Sequence, residues 1–504
     1  MNTLFLAIYL MGCGPKIAPG PIAVEEAEKP IRLITLPDAT VPNVYFQITV
    51  ATGAADDPLG KEGLASLTAK SLAEAGADDR TGQQVKQALY PTGNSIETVV
   101  DREWTTFRLT CHRDQAALCM DVIADVVLKP RFDSADVDRV RDAAEYAVGE
   151  GLLADEEALA FEALNAWLYE AHPYGHPVDG RTGVLPLLSH TAAQEFHKAH
   201  YVREAMVAGL AGNFDSEIQS AFEQRLLEAP AQRKPERALQ RPLPVSGRSL
   251  LVIDTDTPVT GYMFGQPSQV DRNHPDWPAL YLAFVALGEH RQSHGRLFRE
   301  IRTARGLNYG DYAYIESYVQ RGSSAMPEQG VLRQQPMTYF WLRPTGVENG
   351  AFTLKLALAE LEDFAATGLT SAEFDDIRTY ALRRLPLFAR DPGRRLAFAI
   401  EAEASGTPNP LELLPETLPK LTVEQLNQAI AKNIRPSDLK IVAVSGEAES
   451  LVTQLLEEKP TPIVYADGIQ PTAEQAARDS EVAARSIAVG ASNAKTSPAE
   501  GIFR

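Results

Sequence analysis

Asp57–Ala75, DPLGKEGLASLTAKSLAEA, is the stretch on which the fold turns. It reads as a loop feeding an amphipathic helix. Leu64, Leu67, Leu72 and Ala75 recur at near-helical spacing, with the small Ser71 on the same face. Ser66, Ala69 and Lys70 stand at i, i+3 and i+4 on the adjacent face. One face is apolar enough to be buried. The other carries a hydroxyl, a methyl and an ammonium.

The chain has 504 residues, too many for one core, so two or more domains are expected. A hydrophobic content of 44% with 23% charged residues is that of a globular protein. A net charge of −19 argues against a nucleic-acid partner and against adhesion to anionic lipid by charge. The three cysteines are Cys13, Cys111 and Cys119, with no zinc-knuckle spacing. Cys111 reads as a strand residue and Cys119 as a helix residue. A disulfide between them is open in an oxidising compartment, but two buried thiols are the expectation.

Residues 1–13, MNTLFLAIYLMGC, are a short apolar run similar to a bacterial lipoprotein signal, with Cys13 the residue that would be lipidated. The run has no Lys or Arg, so an unprocessed leader or a misplaced start stays open. Residues 14–30 read as a proline-containing tether. No other stretch reaches the roughly 18 apolar residues of a spanning helix. Attachment by lipid is therefore expected, at the periplasm-facing side of a bacterial envelope membrane and at the outer membrane sooner than the inner.

A body of two parts follows, residues 31–228 and 249–466, joined by a Pro-rich linker at 229–248. Val44, Phe46, Ile48 and Val50 alternate with polar residues as in a half-buried strand. The helix above comes next, then a helix at Thr81–Leu89 and strands at Ser95–Val100 and Trp104–Cys111. Helices are predicted near Asp114–Val127, Ser134–Leu153, Glu156–Tyr169 and Thr191–His200, then a strand at Ala205–Leu210. After the linker the pattern restarts. Strands at Leu250–Ile253 and Val259–Phe264 precede a helix at Pro275–Gly288. IRPSDLKIVAVSG, Ile434–Gly446, echoes YVREAMVAGLAG, Tyr201–Gly212. The simplest account is an α+β protein of two halves of roughly 200 residues each, an internal duplication. Residues 467–504 are expected to be a flexible tail, with a short helix near Thr472–Ile487.

Three motifs carry a resemblance. The first is the G-x-x-G-L-A approach to the opening helix. The second is His172-Pro173-Tyr174-Gly175-His176-Pro177 with Gly180, matching H-P-Y-G-x-P-x-x-G. The third is His294–Tyr309, HGRLFREIRTARGLNY, matching S-R-L-F-x-x-I-R-x-x-x-G-L-x-Y apart from His294-Gly295. Over residues 31–460 the chain resembles the pitrilysin/insulinase family of zinc metallopeptidases. The resemblance implies two homologous sheet-plus-helix halves forming half of a clam shell. It also implies an H-x-x-E-H zinc motif on the opening helix, where this chain has Ser66, Ala69 and Lys70. Ser66 is a poor ligand, Ala69 takes no proton, and the Lys70 ammonium repels a dication. The family's third ligand, a Glu about 75 residues further on, falls near Ala147. Glu145 and Glu150 are close by, but one carboxylate does not hold zinc. No metal and no cofactor are expected in this chain, and no catalysis by this chain alone.

The third motif is kept. In the family its Arg and Tyr reach across the shell toward the zinc, and here they are Arg302 and Tyr309. A guanidinium fork holds substrate carbonyls, and a phenol donates to an oxyanion. Read alone, Arg302 is an ordinary solvated residue and Tyr309 an ordinary strand aromatic. Family members include heterodimers in which one subunit carries zinc and the other supplies this pair. The expectation is a non-catalytic subunit that binds a zinc-bearing homologous peptidase and peptide substrates. The alternative is an inactive envelope lipoprotein with a structural or peptide-binding role. The close pairs His172/His176, His197/His200 and His290/His294 read as structural or surface histidines. The polar segment Glu316–Pro336 reads as a lid, a partner contact or an idle loop.

Overall fold

Val44, Phe46, Ile48 and Val50 are all buried, and they make β2 (Asn43–Val50) the middle of a five-stranded sheet. The computed structural model describes residues 32–503 apart from 238, 317–330, 458 and 467. The predicted leader 1–13, the tether and Cys13 lie outside the described residues, as does most of the Glu316–Pro336 segment.

The first half runs β1 (Arg32–Pro37), β2, α1 (Leu64–Glu74), α2 (Gly82–Leu89), β3 (Glu97–Val100) and β4 (Thr105–His112). It continues through α3 (Ala116–Leu128), α4 (Ser134–Tyr146), α5 (Glu156–Leu168), α6 (His190–His200), β5 (Met206–Gly212) and α7 (Ser216–Leu226). The second half opens with β6 (Ser249–Asp254), β7 (Val259–Pro267), α8 (Trp277–Gly288), β8 (Asp311–Tyr314) and β9 (Met337–Gly346). Then come α9 (Gly350–Thr367), α10 (Ser371–Phe388), α11 (Pro392–Ser405), α12 (Pro410–Thr417), α13 (Val423–Asn433), β10 (Lys440–Ser445) and α14 (Ala448–Leu456). The chain closes with α15 (Ala473–Ala484) and β11 (Ala494–Pro498).

The duplication is written in the strand order. The first sheet is β1-β5-β2-β4-β3, and the second is β6-β10-β7-β9-β8 with β11 added outside β6. Each half thus repeats the same five positions. In both, the first and last strands pair in parallel and the other neighbours antiparallel. The halves also exchange helices. α5 packs on β7 and β10, whereas α11 packs on β5, β2 and β1. Leu396 and Ile400 of α11 bury Val207 and Ala211 of β5 in a small separate core. Among the described residues no helix is long and apolar enough to cross a membrane.

Three expectations need correction. The described residues of the predicted tail, 468–503, are not loose. β11 pairs in parallel with β6, Lys495 lies 5.3 Å over the Trp167 ring, and the Phe503 carbonyl accepts the Thr182 N–H at 3.2 Å. AKTSP shows no apolar alternation because backbone bonds, not side chains, hold it to the sheet edge. The linker lacks helix and strand among its described residues, as composition suggests, yet it is pinned. Arg237 donates to Asp56 at 3.0 Å and to Glu103 at 3.1 Å. The helix predicted over Ser134–Leu153 ends at Tyr146 and widens into a π-helical turn, Ala147–Gly151. The two buried thiols are instead joined as a disulfide. The short turn Arg113–Gln115 folds α3 back over the end of β4, bringing Cys111 and Cys119 to a Cα separation of 6.8 Å.

The described end of that segment, residues 331–335, is a strap from the second half onto the first, with Val331, Leu332 and Arg333 buried. The Leu332 carbonyl accepts from Trp104 at 2.9 Å, and the Gln335 carbonyl accepts from Tyr169 at 2.7 Å. Arg333 holds Asp101 through two bonds, of 2.9 and 3.0 Å, and donates to Asn165 at 3.0 Å.

Candidate functional site

α1 starts where the sequence sets a glycine. Gly63 has φ of +103°, a conformation a side chain disfavours. The Asp57 carboxylate accepts the N–H groups of Gly63 and Ala65, each at 2.7 Å, and so caps the helix from the loop before it. Burial pushes that carboxyl well above its usual range, against the pull of those two bonds.

The glycine that closes the second motif meets this point. A Cβ on Gly63 would lie 2.8 Å from the Asp179 carbonyl, and one on Gly180 would lie 2.5 Å from the Glu62 carbonyl. Two motif glycines, far apart in sequence, therefore pack backbone to backbone. Their approach lays the Pro177–Gly180 turn across the first turns of α1 and sets Asp179 over Ser66 and Lys70.

Lys70 Nζ lies 2.6 Å from Asp179 Oδ1, and Ser66 donates to the same oxygen at 2.5 Å. Burial raises the Asp179 carboxyl, but the Lys70 charge and the bonds from Lys70 and Ser66 prevail and hold it below its usual range. Ser66 and Ala69 are both buried, and the Lys70 stem reaches toward solvent. Arg102, fully buried, pairs with Glu162 of α5 at 2.9 Å and adds positive charge nearby. Burial, and then Arg102, lower the neighbouring His176 to about 4.

This donor set does not fit zinc. A hydroxyl, a methyl and an ammonium stand where two imidazoles and a carboxylate would be needed, and the nearest carboxylate is held by Lys70. Ala147 is exposed on the π-helical turn and has no donor. That turn borders the same region, since a Cβ on Gly149 would lie 3.6 Å from Thr182. Glu145 and Glu150 are exposed. Among the described residues no group of three or more His, Cys, Asp and Glu side chains could hold a metal ion. The structure thus brings Ser66 and Lys70 together through Asp179, buries Ala69 on the same helix, and leaves Ala147 exposed on the bordering turn. Sequence reading missed Asp179. It lies inside the matched turn, but its partner is 109 residues away.

The His172/His176 and His197/His200 pairs have structural partners. His172 shares a hydrogen bond with the Gln240 carbonyl at 2.8 Å, and His176 with that of Pro177 at 2.9 Å. His197 does the same with the Val127 carbonyl at 2.8 Å, and His200 stacks on Phe196.

The third motif begins in a helical turn that is π-helical over Phe298–Thr303. Phe298 and Ile301 face the core, and Arg302 is exposed, its guanidinium 4.8 Å over the Phe298 ring. Asn308 turns inward, donating to Asp311 at 2.7 Å and to the Arg343 carbonyl at 3.1 Å. That anchor throws Tyr309 outward, 75% exposed. Among the described residues neither the Arg302 nor the Tyr309 side chain has an ion-pair or hydrogen-bond partner. No described contact joins them to the Ser66–Lys70–Asp179 group.

The comparisons agree with this geometry. Residues 32–181 match a family model described as insulinase (peptidase family M16), and residues 188–380 match the peptidase M16 inactive domain. An uncharacterized zinc protease of Mycobacterium tuberculosis is 25% identical over 434 residues, 84% of this chain and 94% of that protein. A probable mitochondrial-processing peptidase subunit beta of Arabidopsis thaliana is 22% identical, over 44% of this chain and 42% of that one. Among solved structures, a peptidase M16 inactive domain from Pseudomonas fluorescens matches with a TM-score of 0.72 at 22% identity, covering 82% of this chain and 95% of that one. The duplicated α+β body is the half clam shell of these proteins, and the chain belongs to the insulinase (M16) family of peptidases.

Proposed function

We propose that this chain is the non-catalytic subunit of a two-subunit zinc peptidase. In this reading a homologous partner carries the zinc, whose bound water supplies the nucleophile. This chain contributes Arg302 and Tyr309. The guanidinium fork holds peptide carbonyls in fixed geometry. The phenol donates to the oxyanion that forms as the peptide bond is attacked. Lipidated Cys13 would hold the assembly at the periplasmic face of a bacterial envelope membrane, the outer sooner than the inner.

One observation carries the reading: the two halves of the catalytic equipment have opposite fates here. The zinc positions are filled by a closed Ser66–Asp179–Lys70 group, whereas Arg302 and Tyr309 stand exposed, with no ion-pair or hydrogen-bond partner among the described residues. A vestigial chain has no need to hold a bare phenol out to solvent while its neighbour Asn308 is tied down.

The test is purification of the chain from its native envelope, followed by metal analysis and peptidase assay alone and with what co-purifies. The reading expects a zinc-containing homologue and activity only in the mixture. A metal-free, inactive protein with no such homologue would move the assignment to a structural or peptide-binding lipoprotein.

A further inference from the structure

Because the halves repeat the same strand positions, each feature of the first has a counterpart in the second. α8 corresponds to α1, α10 to α4, and β8 to β3. The packing agrees: α1 lies against β3 and α4, and α8 lies against β8 and α10. The counterpart of the lost metal site should therefore sit between α8, the end of α10 and β8.

A cavity of about 130 Å³ lies there. Tyr281, Phe284 and Val285 of α8 line it, at the same i, i+3 and i+4 spacing as Ser66, Ala69 and Lys70 on α1. Leu385 and Phe388 line it from the end of α10, as Ala147 follows the end of α4, and Ala313 lines it from β8. Where the first half has an ion pair, the second has an apolar hollow.

The charged groups in its wall are already paired within the chain. Arg272 holds Glu316 at 2.8 Å and also Glu401. Glu289 accepts from Tyr380 at 2.7 Å and from Arg384 at 3.3 Å. His290 shares a hydrogen bond with the Tyr314 hydroxyl at 2.6 Å. Among the described residues nothing in the wall asks for a counter-ion, and a charged guest would lose hydration there. Size completes the argument. An engineered cavity of roughly 150 Å³ lined by Leu, Ile and Phe in another protein stays dry and takes benzene or xenon.

We infer that this cavity binds an uncharged apolar group about the size of one ring, either a free arene or the aromatic side chain of a peptide. Binding is read on this chain alone, so it stands or falls apart from any partner.

The test uses the purified full chain with toluene and with N-acetyl-Ala-Phe-Ala-amide, followed by ligand-observed NMR. N-acetyl-Ala-Ala-Ala-amide serves as the control peptide. Ala313→Leu and Leu414→Phe fill the cavity from two sides, and near-ultraviolet circular dichroism checks that each is folded. The expected result is saturable toluene binding, weakened at least tenfold in a filled variant and unchanged by Tyr309→Phe. Competition between toluene and the Phe peptide, but not the Ala peptide, identifies a side chain as the guest; toluene binding without it identifies a free molecule. Absence of saturable binding of either probe, or equal binding in a folded filled variant, overturns the inference. Should both variants fail to fold, a wild-type crystal under xenon decides. Xenon in this cavity supports the inference, and xenon only elsewhere overturns it.

Discussion

Arg333→Met is the sharpest test of how the two halves are joined. Arg333 is 3% exposed and its guanidinium holds Asp101, itself 2% exposed, through paired bonds of 2.9 and 3.0 Å. Methionine keeps much of the aliphatic stem beside Tyr174, so the loss is mainly of charge. Among the described residues no other side chain pairs with the Asp101 carboxylate, which is left buried and uncompensated. Breaking one side of such a pair costs roughly 3–5 kcal/mol, and the lost bond to Asn165 adds about 1 kcal/mol. Replacing both charges, Arg333→Met with Asp101→Asn, removes the stranded anion. The double variant should then be more stable than the sum of the singles by roughly 2 kcal/mol. Urea unfolding followed by circular dichroism measures the three variants. Hydrogen exchange should show lost protection at residues 97–112 and 331–336. A single variant within about 1 kcal/mol of the parent, or strictly additive costs, would refute the reasoning.

Three further outcomes are expected. Asp179 titrates below the usual carboxylate value, so its contribution is present above about pH 4 and is lost as pH falls through the folded value. Lys70→Met removes the chief opposing charge and should move the acid-unfolding midpoint to higher pH; an acid titration that does not move contradicts the pairing. Gly180→Ala places a Cβ 2.5 Å from the Glu62 carbonyl at a φ of +102°, and should destabilise by roughly 2 kcal/mol or more in a thermal melt. Phe503→Ala should cost roughly 3 kcal/mol by urea titration, because Phe503 is 5% exposed in the first-half core, whereas a loose tail would register no change.

How much of this was legible depends on where each interaction reaches. α1 was readable because leucines at helical spacing report burial directly, and Leu64, Leu67 and Leu72 are all buried. The duplication was readable because each half repeats an apolar strand followed by a glycine, and those strands became β5 and β10, in the same place in each sheet. β11 was not, since a strand held at a sheet edge by its backbone needs no pattern. The strap was not, since Arg333 meets Asp101 across 232 residues and a lone Arg in a polar stretch looks solvated. The candidate site divides the same way. Ser66, Ala69 and Lys70 show by their chemistry a donor set that does not fit zinc, but Asp179 as the Lys70 partner emerges only when Gly63 and Gly180 touch. The exposure of Tyr309 likewise depends on Asn308 turning inward, which one sequence cannot show.

The central claim is that this chain supplies Arg302 and Tyr309 to another subunit's reaction. The direct measurement is kcat of the reconstituted pair with Arg302→Ala and Tyr309→Phe, beside the Kd of assembly for each. The account predicts a fall in kcat of tenfold or more, about 1.4 kcal/mol of transition-state stabilisation, with assembly unchanged. Full peptidase turnover in both variants would contradict it.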